Sequence, residues 1–257
     1  MSVEGESMPA SRLVGAYLTE AKLESTRLLR TPAFVVPTLL FPLLFYALFG
    51  LVIFSRSGDP VAAAILFTNY CAFGAMAPGI FGFGITLAME REQGVLLLKR
   101  ALPMPPGAHL IAKMLMAALF VAIVVASLCA AGIIFGHVQL RTSQYFAVAL
   151  TSVFGVLPFC AIGFLIGTLA TGQSAPAIAN LVYLPMSFLS GIWVPLSVLP
   201  KALQSDAPIW PTYHLIHLMR GMADLPHSGS VLTHFTVLLG VTVGFTLFAI
   251  RRLAHAG

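Results

Sequence analysis

Residues 110–135 read LIAKMLMAALFVAIVVASLCAAGIIF, an apolar stretch of 26 residues with one charged side chain, Lys113. As an α-helix it would be about 39 Å long, because an α-helix rises about 1.5 Å per residue. The hydrocarbon core of a bilayer is about 30 Å thick, so a segment of this length and polarity is typical of a transmembrane helix. This stretch therefore predicts the fold class, an all-α integral membrane protein.

Five further blocks of the chain meet the same criterion, which is about 20 mostly apolar residues in a row. With residues 110–135 they predict six transmembrane helices. The other five are Ala33–Phe54, Val61–Ala88, Tyr145–Leu169, Ala175–Leu199 and Val231–Ile250.

The composition excludes a soluble or disordered chain. Hydrophobic residues make up 58% of it, charged residues 9%, and the mean hydropathy is +0.94. Soluble domains average about 45–50% apolar and roughly 25% charged residues, and disordered chains are poorer still in apolar residues. The net charge of +5 is dispersed along the chain, whereas nucleic-acid binding needs a basic cluster, so no nucleic-acid partner is expected. Three cysteines in apolar blocks, Cys71, Cys129 and Cys160, are interpreted as packing residues.

The first 32 residues predict an interfacial helix. They mix acidic and basic side chains without an apolar core, which excludes a signal peptide. From Ala10 to Leu28 apolar residues recur on one arc at helical spacing, and the basic residues lie on the other side. Such a helix lies along a membrane surface. We expect residues 1–32 to form a cytoplasmic amphipathic helix and residues 33–257 a six-span membrane domain.

The basic residues predict the orientation. With six spans, both termini lie on the same side as the loop Met89–His109. That side holds ten of the 14 Lys and Arg residues. Because cytoplasmic loops are enriched in Lys and Arg, both termini are expected in the cytoplasm.

The segment Pro200–Pro226 would then lie outside. Its apolar, aromatic run Ile209–Met222 is too short to span a bilayer. It predicts an extracellular re-entrant helical hairpin between spans five and six, since irregular backbone at membrane depth is tolerated where protein buries it.

Three pairs of glycines are spaced Gly-x-x-x-Gly, which allows two helices to approach closely in lipid. We expect them to pack helices within one chain, with contacts between protomers as the alternative. The pairs are Gly132 and Gly136, Gly163 and Gly167, and Gly240 and Gly244.

The sequence lacks the residues that several kinds of chemistry require. The predicted spans hold no Asp, Glu, Lys or Arg except Lys113, which argues against a proton relay. No lysine follows the glycine that a phosphate loop needs, and no serine has a nearby base, so neither an ATP site of that type nor an enzyme is expected.

An extracellular metal site is one interpretation of four histidines and an aspartate; interfacial histidines are the preferred one. These residues are His214, His217, Asp224, His227 and His234.

The loop after the second predicted span reads MEREQGVLLLKRALPMPP over residues 89–106. Its charges suit an interfacial anchor, Val95–Arg100 predicts a short helix, and the prolines that follow would end it. An ordinary basic cytoplasmic turn is the alternative.

Together with Lys113, this loop resembles that of the permease subunits of ABC type-2 transporters, especially the drug-exporter-like branch. Two other stretches resemble the same family in order and spacing: Phe188–Pro200 (FLSGIWVPLSVLP) and Pro211–Arg220. The resemblance covers nearly the whole chain. The chain departs from the family pattern at Val95–Leu97, where many relatives carry Thr, Leu and Glu, so no contact is carried over to Leu97 alone.

The resemblance implies a permease subunit of an ATP-driven exporter in a bacterial inner membrane. Two such chains would form the path as a homodimer and two separate ATPase subunits would dock from the cytoplasm. ATP and Mg²⁺ would bind to the ATPase, and no cofactor to this chain. The implied coupling loop comprises Glu90, Arg91, Glu92, Gly94, Leu96, Leu97, Lys99 and Pro103; the connecting helix Leu13, Tyr17, Leu18 and Arg27; and the extracellular gate Trp193, Pro195, Trp210, Tyr213 and His214.

A charge-free, aromatic-rich path favours a hydrophobic drug, antibiotic or lipid-like cargo. Lipid-linked glycan export and a self-sufficient carrier or channel are the alternatives, and a membrane-embedded enzyme comes third. Four aromatic residues could line the path or could equally face lipid or the core: Phe159, Tyr183, Phe188 and Trp193.

Overall fold

The computed structural model describes residues 10–54, 59–101, 107–135 and 138–255, which form helices and short connections without a β-strand. Two segments are π-helical: Tyr46–Phe54 continues the second α-helix, and Pro78–Phe83 joins the third α-helix to the fourth. The α-helices are α1 Ala10–Leu29, α2 Pro32–Phe45, α3 Pro60–Ala77, α4 Gly84–Glu92, α5 Val95–Ala101, α6 Ala108–Ile134, α7 Thr142–Phe154, α8 Leu157–Leu169, α9 Ala175–Leu189, α10 Lys201–Asp206, α11 Pro211–Met222 and α12 Val231–His255.

Five helical units in these ranges are long and apolar enough to cross a bilayer. In the second unit 83% of the most apolar stretch is buried, against 11% in the last, so the second lies at the centre of the bundle. The uncovered faces of the outer units are apolar, with exposed Phe41 and Phe248 as examples. The prediction of an all-α integral membrane protein is confirmed. The units are Pro32–Gly50, Pro60–Glu92, Ala108–Ile134, Thr142–Leu169 and Val231–Leu253.

The fifth predicted span is helical only over α9. Its 15 residues reach about 22 Å, less than the hydrocarbon core. The expectation of a helix to Leu199 is wrong, because Gly191 adopts the left-handed conformation, with φ +83. Its N–H donates to the Phe188 carbonyl (3.2 Å) and the Ile192 N–H donates to the Ser187 carbonyl (3.4 Å). This pattern is a Schellman cap, which ends a helix.

Glycines bring the second and fourth units into backbone contact. A methyl group added to Gly84 would lie 2.8 Å from the Gly163 carbonyl oxygen, and one added to Gly167 would lie 2.9 Å from the Gly84 oxygen. Packing within the chain is thereby confirmed for Gly163 and Gly167. Among the described residues, no atom outside the neighbouring backbone of the same helix lies within 4 Å of such a methyl at Gly240 or Gly244.

A pair of helices, α10 and α11, follows α9 at the end of the bundle opposite α1. Helix α10 is largely exposed, whereas α11 packs against α3, α7 and α12. The Gln144 amide at the start of α7 donates to the Ala223 carbonyl (2.7 Å). The expected helices between Pro200 and Pro226 are therefore present, and α11 is held by three of the spanning units.

The glycine contact predicts a difference between two substitutions. Gly163→Val should lower the apparent midpoint of thermal unfolding in detergent, because a larger side chain in a packed contact costs about 1–3 kcal/mol. Gly240→Val is the matched control, since it adds the same side chain in open space. Equal midpoints for the two variants would contradict the described contact.

Candidate functional site

The amphipathic helix α1 lies against α6 and the loop that follows α4. Its inward face includes the buried Ala21, Ser25 and Leu28, and Leu28 packs against Met116 and Phe120 of α6. This confirms part of the predicted apolar arc. Other residues of that arc, Val14 and Leu18, are exposed.

The centre of this contact is the ammonium group of Lys113, which is 0% exposed. It forms an ion pair with Glu24 of α1. It also donates hydrogen bonds to the Thr86 hydroxyl (2.8 Å) and to Glu90 Oε1 (3.2 Å). Arg27 Nη1 of α1 donates to the same Glu90 oxygen at 2.7 Å. Glu90, also 0% exposed, thus joins two cations from different helices.

A second group of charges extends these contacts to α5. Lys99 Nζ donates to Glu20 Oε1 of α1 (2.7 Å) and lies 3.0 Å from His109 Nδ1. The other ring nitrogen of His109 lies 2.9 Å from Glu90 Oε2, without hydrogen-bond alignment. We call the joined set the ion network. Its members are Glu20, Glu24, Arg27, Glu90, Lys99, His109 and Lys113.

The ion network is close to electrically balanced, with three carboxylates, three permanent cations and one imidazole. Burial alone would raise the pKa of the Glu20 carboxyl, but the hydrogen bond from Lys99 and the charges of Lys99 and His109 outweigh it and lower that pKa. A carboxyl group whose pKa is lowered in the folded state stabilises the fold at pH values above its ordinary pKa. This stabilisation is lost as the pH falls through the lowered pKa. The Glu20 contacts are therefore intact at neutral pH.

The next two residues of the loop fasten it to the α8–α9 turn. Arg91 donates to the carbonyls of Thr168 and Ala170, the latter at 2.7 Å, at the carboxyl end of α8. A cation there is favoured by the helix dipole. Glu92 Oε2 accepts a hydrogen bond from the Gly172 N–H (2.6 Å).

The coupling-loop residues named from the sequence therefore occupy different environments. Glu90 lies inside the chain rather than on its surface, Arg91 and Lys99 are half-buried, and Glu92 and Leu98 are exposed. The short helix expected at Val95–Arg100 is confirmed as α5. Gly94 separates α4 from α5 at φ +73, and Leu96 packs against the core. The side chain of Leu97 and all of Pro103 lie outside the described residues.

The connecting-helix residues also differ. Arg27 is in the ion network and Tyr17 is half-buried, whereas Leu18 is exposed. The side chain of Leu13 lies outside the described part.

The gate residues fall into two groups at the opposite end. Trp193 packs on Phe45, Phe73 and Phe188, with ring centroids 4.7–5.7 Å away, and Pro195 precedes the 3₁₀ turn Leu196–Val198. Trp210 precedes α11, where Tyr213 and His214 both contact the ring of His234. The structure brings three of the five, Trp193, Pro195 and Tyr213, to the wall of one cavity, and it places His214 against α12.

Among the described residues, no group of three or more His, Cys, Asp or Glu side chains could hold a metal ion. The His214 Nδ1 and His234 Nδ1 atoms are 2.9 Å apart, and their other ring nitrogens contact the Pro208 and Ser228 carbonyls. His214 and His234 are buried in a contact between α11 and α12, a role that neither interpretation of the sequence included.

A groove of about 530 Å³ opens between α2, the second unit and α9. Its walls are largely apolar and include Tyr183 and Trp193, two of the four aromatic residues considered for a path. Phe159 is fully buried in the core, and Phe188 is exposed. The groove is therefore lined by only part of the aromatic set.

Glu20, Glu24, Thr86 and His109 of this site were not found from the sequence. The signal that could have found Glu24 is Lys113 itself, since a lysine buried in an apolar helix requires an opposite charge. Glu20, Glu24 and Arg27 lie three or four residues apart on α1 and so share a helix face.

The chain is similar to known membrane proteins. The family described as "ABC-2 type transporter" matches residues 17–223, which include the whole ion network. "Putative transport permease YvfS" of Bacillus subtilis (strain 168) is 30% identical over 192 residues, covering 74% of this chain and 78% of that protein.

The ion network predicts that removing its central cation is costly. Lys113→Met leaves Glu24 and Glu90 buried without that cation, and breaking a buried pair typically costs about 3–5 kcal/mol. The apparent unfolding midpoint in detergent should fall well below that of Lys22→Ala, a change at an exposed lysine of α1. Adding Glu24→Gln to Lys113→Met should cost less than the sum of the two single changes. Strict additivity would show that the pair is not coupled.

Proposed function

The chain belongs to the ABC-2 type transporter family, and from this we propose that it forms half of the membrane path of an ATP-driven exporter. Membership makes it a transmembrane subunit of an ABC transporter, a multi-pass membrane protein that pairs with an ABC ATPase subunit. The proposal adds outward transport, a homodimer of two such chains with two ATPases, and a hydrophobic drug, antibiotic or lipid-like cargo.

The observation that carries the proposal is the ion network. It ties α5 to α1 through Lys99 and Glu20. It ties α1, the start of α6 and the end of the second unit together through Glu24, Lys113 and Glu90. A subunit that pushed on α5 would therefore move these helices as one body. ATP and Mg²⁺ would be held by the ATPase, whose two states would bias the two states of the membrane path.

The docking surface in this proposal is narrower than the loop as a whole. Glu90 is enclosed, so among the described side chains of the loop the groups left to a partner are the exposed Met89, Glu92, Gln93 and Leu98. Val14 and Leu18 on the outer face of α1 supply further apolar area. The enclosed residues would transmit the movement that these exposed residues receive.

The groove beside α9 is the proposed half of the transport path. Phe34, Phe45 and Phe81 contribute to its wall, and Asn180 and Tyr183 add polar atoms. An open, mostly apolar groove suits an apolar cargo, and a second copy facing it would close the path.

The proposed topology places six crossings in the membrane. The five long units would be joined by α9, with the chain up to Pro200 completing that crossing, and α10 and α11 would form the extracellular re-entrant hairpin. Both termini would be cytoplasmic, in line with the ten-of-14 distribution of Lys and Arg. The bacterial inner membrane is the proposed location.

The positions of the charged residues favour the exporter subunit over a self-sufficient, proton-driven carrier. A proton-driven carrier places ionisable groups along the middle of its spans. Lys113 and Glu90 lie at the ends of their units, in contact with α1, and each is paired. They are arranged to hold helices together.

The docking surface gives a test at Leu98. Leu98→Arg should reach the membrane in normal amount, because the side chain is 66% exposed, yet lose co-purification of the ABC ATPase from native membranes in mild detergent. The measurement is the ATPase-to-permease ratio by quantitative mass spectrometry, together with cargo efflux.

Lys201→Glu is the control, since it changes charge at an exposed position of α10 at the other end of the chain and should leave the ratio unchanged. A normal ATPase ratio in Leu98→Arg would contradict the docking surface, and the absence of any ATPase in the unmodified sample would contradict the proposed function.

A further inference from the structure

A cavity of about 420 Å³ lies at the α11 end of the bundle and shares Trp193 with the proposed transport groove. It is enclosed by the first turns of α3, the chain after α9 and one face of α11. Its wall is apolar at Ile65, Ile192 and Leu196 and polar at Asn69 and Arg220. The cavity thus combines an apolar surface with a basic side chain.

Arg220 has no carboxylate partner in the described part of the chain. Its one hydrogen bond runs from Nη2 to Asn69 Oδ1 (2.7 Å), and Asn69 in turn donates to the Gly191 carbonyl (3.1 Å). A guanidinium group has more donors than one amide oxygen can accept. Asn69 therefore orients the group and leaves its charge uncompensated.

Arg220 remains the source of positive charge in this cavity at neutral pH. Burial lowers the pKa of its guanidinium to about 10, so it stays protonated. His217 also lines the cavity, but burial, with the charge of Arg220 and the neighbouring histidines, lowers its pKa to about 3. His217 is therefore neutral, and its Nδ1 accepts a hydrogen bond from the Ser228 N–H (3.0 Å).

Three residues of the cavity wall carry a buried polar atom that has no hydrogen-bond partner in the described part of the chain: Arg220 Nε, Trp193 Nε1 and Ser190 Oγ. Ser190 is 3% exposed. A buried donor without an acceptor costs free energy comparable to a lost hydrogen bond. Donors gathered around one unpaired cation indicate that the missing partner is an acceptor with negative charge.

We propose that this cavity binds the anionic headgroup, phosphate or carboxylate, of an amphiphilic molecule. Arg220 supplies the charge and its forked donors, which match the oxygens of such a group. Ser190 and Trp193 supply single donors, and the apolar wall takes the adjoining hydrocarbon. The inference stands on this chain alone and does not depend on the docking of an ATPase.

The test is native mass spectrometry of the full chain in detergent, titrated with dioleoylphosphatidylglycerol. The expected result is one saturable lipid, bound at least tenfold more weakly by Arg220→Gln and with an intermediate loss in Arg220→Lys. Dioleoylglycerol, with the same chains and no phosphate, should bind no better than the background. Inorganic phosphate distinguishes the two sources of the anion: binding as tight as that of the lipid would mean a free-anion site and overturn the amphiphile.

Lys201→Gln is the matched control, an exposed basic residue at the same end of the bundle, and should not change lipid binding. If Arg220→Gln does not fold, Trp193→Phe keeps the ring and removes only the N–H, and Ser190→Ala removes only the hydroxyl. Each should weaken binding severalfold with an unchanged unfolding midpoint. Equal lipid binding in the folded variants and the unmodified chain would overturn the proposal.

Discussion

The rest of the structure depends on the enclosure of the Lys113 ammonium group. An unpaired cation in an apolar helix would cost many kcal/mol, and the chain avoids this by placing carboxylates from two other elements against it. Glu24 comes from the amphipathic helix and Glu90 from the end of the second spanning unit. One electrostatic requirement thus fixes where α1 lies and how the loop after α4 turns.

The same enclosure would let the proposed docking loop act at a distance. Glu90 faces inward to the ion network, while its neighbours Arg91 and Glu92 hold the turn after α8. Behind that turn, the glycine contact of Gly84 with Gly163 joins the second and fourth units backbone to backbone. Force applied to α5 therefore meets a packed body at each step, and packed elements move between discrete arrangements rather than deforming continuously. The apolar groove lies beside these helices, where such a movement would change its width.

Much of the fold was predictable from local features of the sequence. The apolar blocks, the helical period before Pro32 and the short helix after Gly94 all depend on residues close together in the chain, and each is present. The end of α9 at Leu189 was missed, although Gly191 marked it, because the run from Ala175 to Leu199 is apolar throughout. Hydropathy measures the cost of water contact and carries no information about the left-handed backbone conformation that stops a helix.

The sequence by itself determined that this chain is helical and lies in a membrane, because composition and periodicity record the solvent that each residue must face. The resemblance to ABC-2 permeases was carried by particular motifs, the loop after the second predicted span and Phe188–Pro200. Only the tertiary structure decided which charged residues are partners. Glu90 and Glu92 are two positions apart in a polar loop, yet one is enclosed and the other exposed. Arg220 pairs with an amide 151 residues away and with no carboxylate in the described ranges. Such pairings depend on the distances between helices in the folded bundle, and these distances are set by packing between residues far apart in the chain.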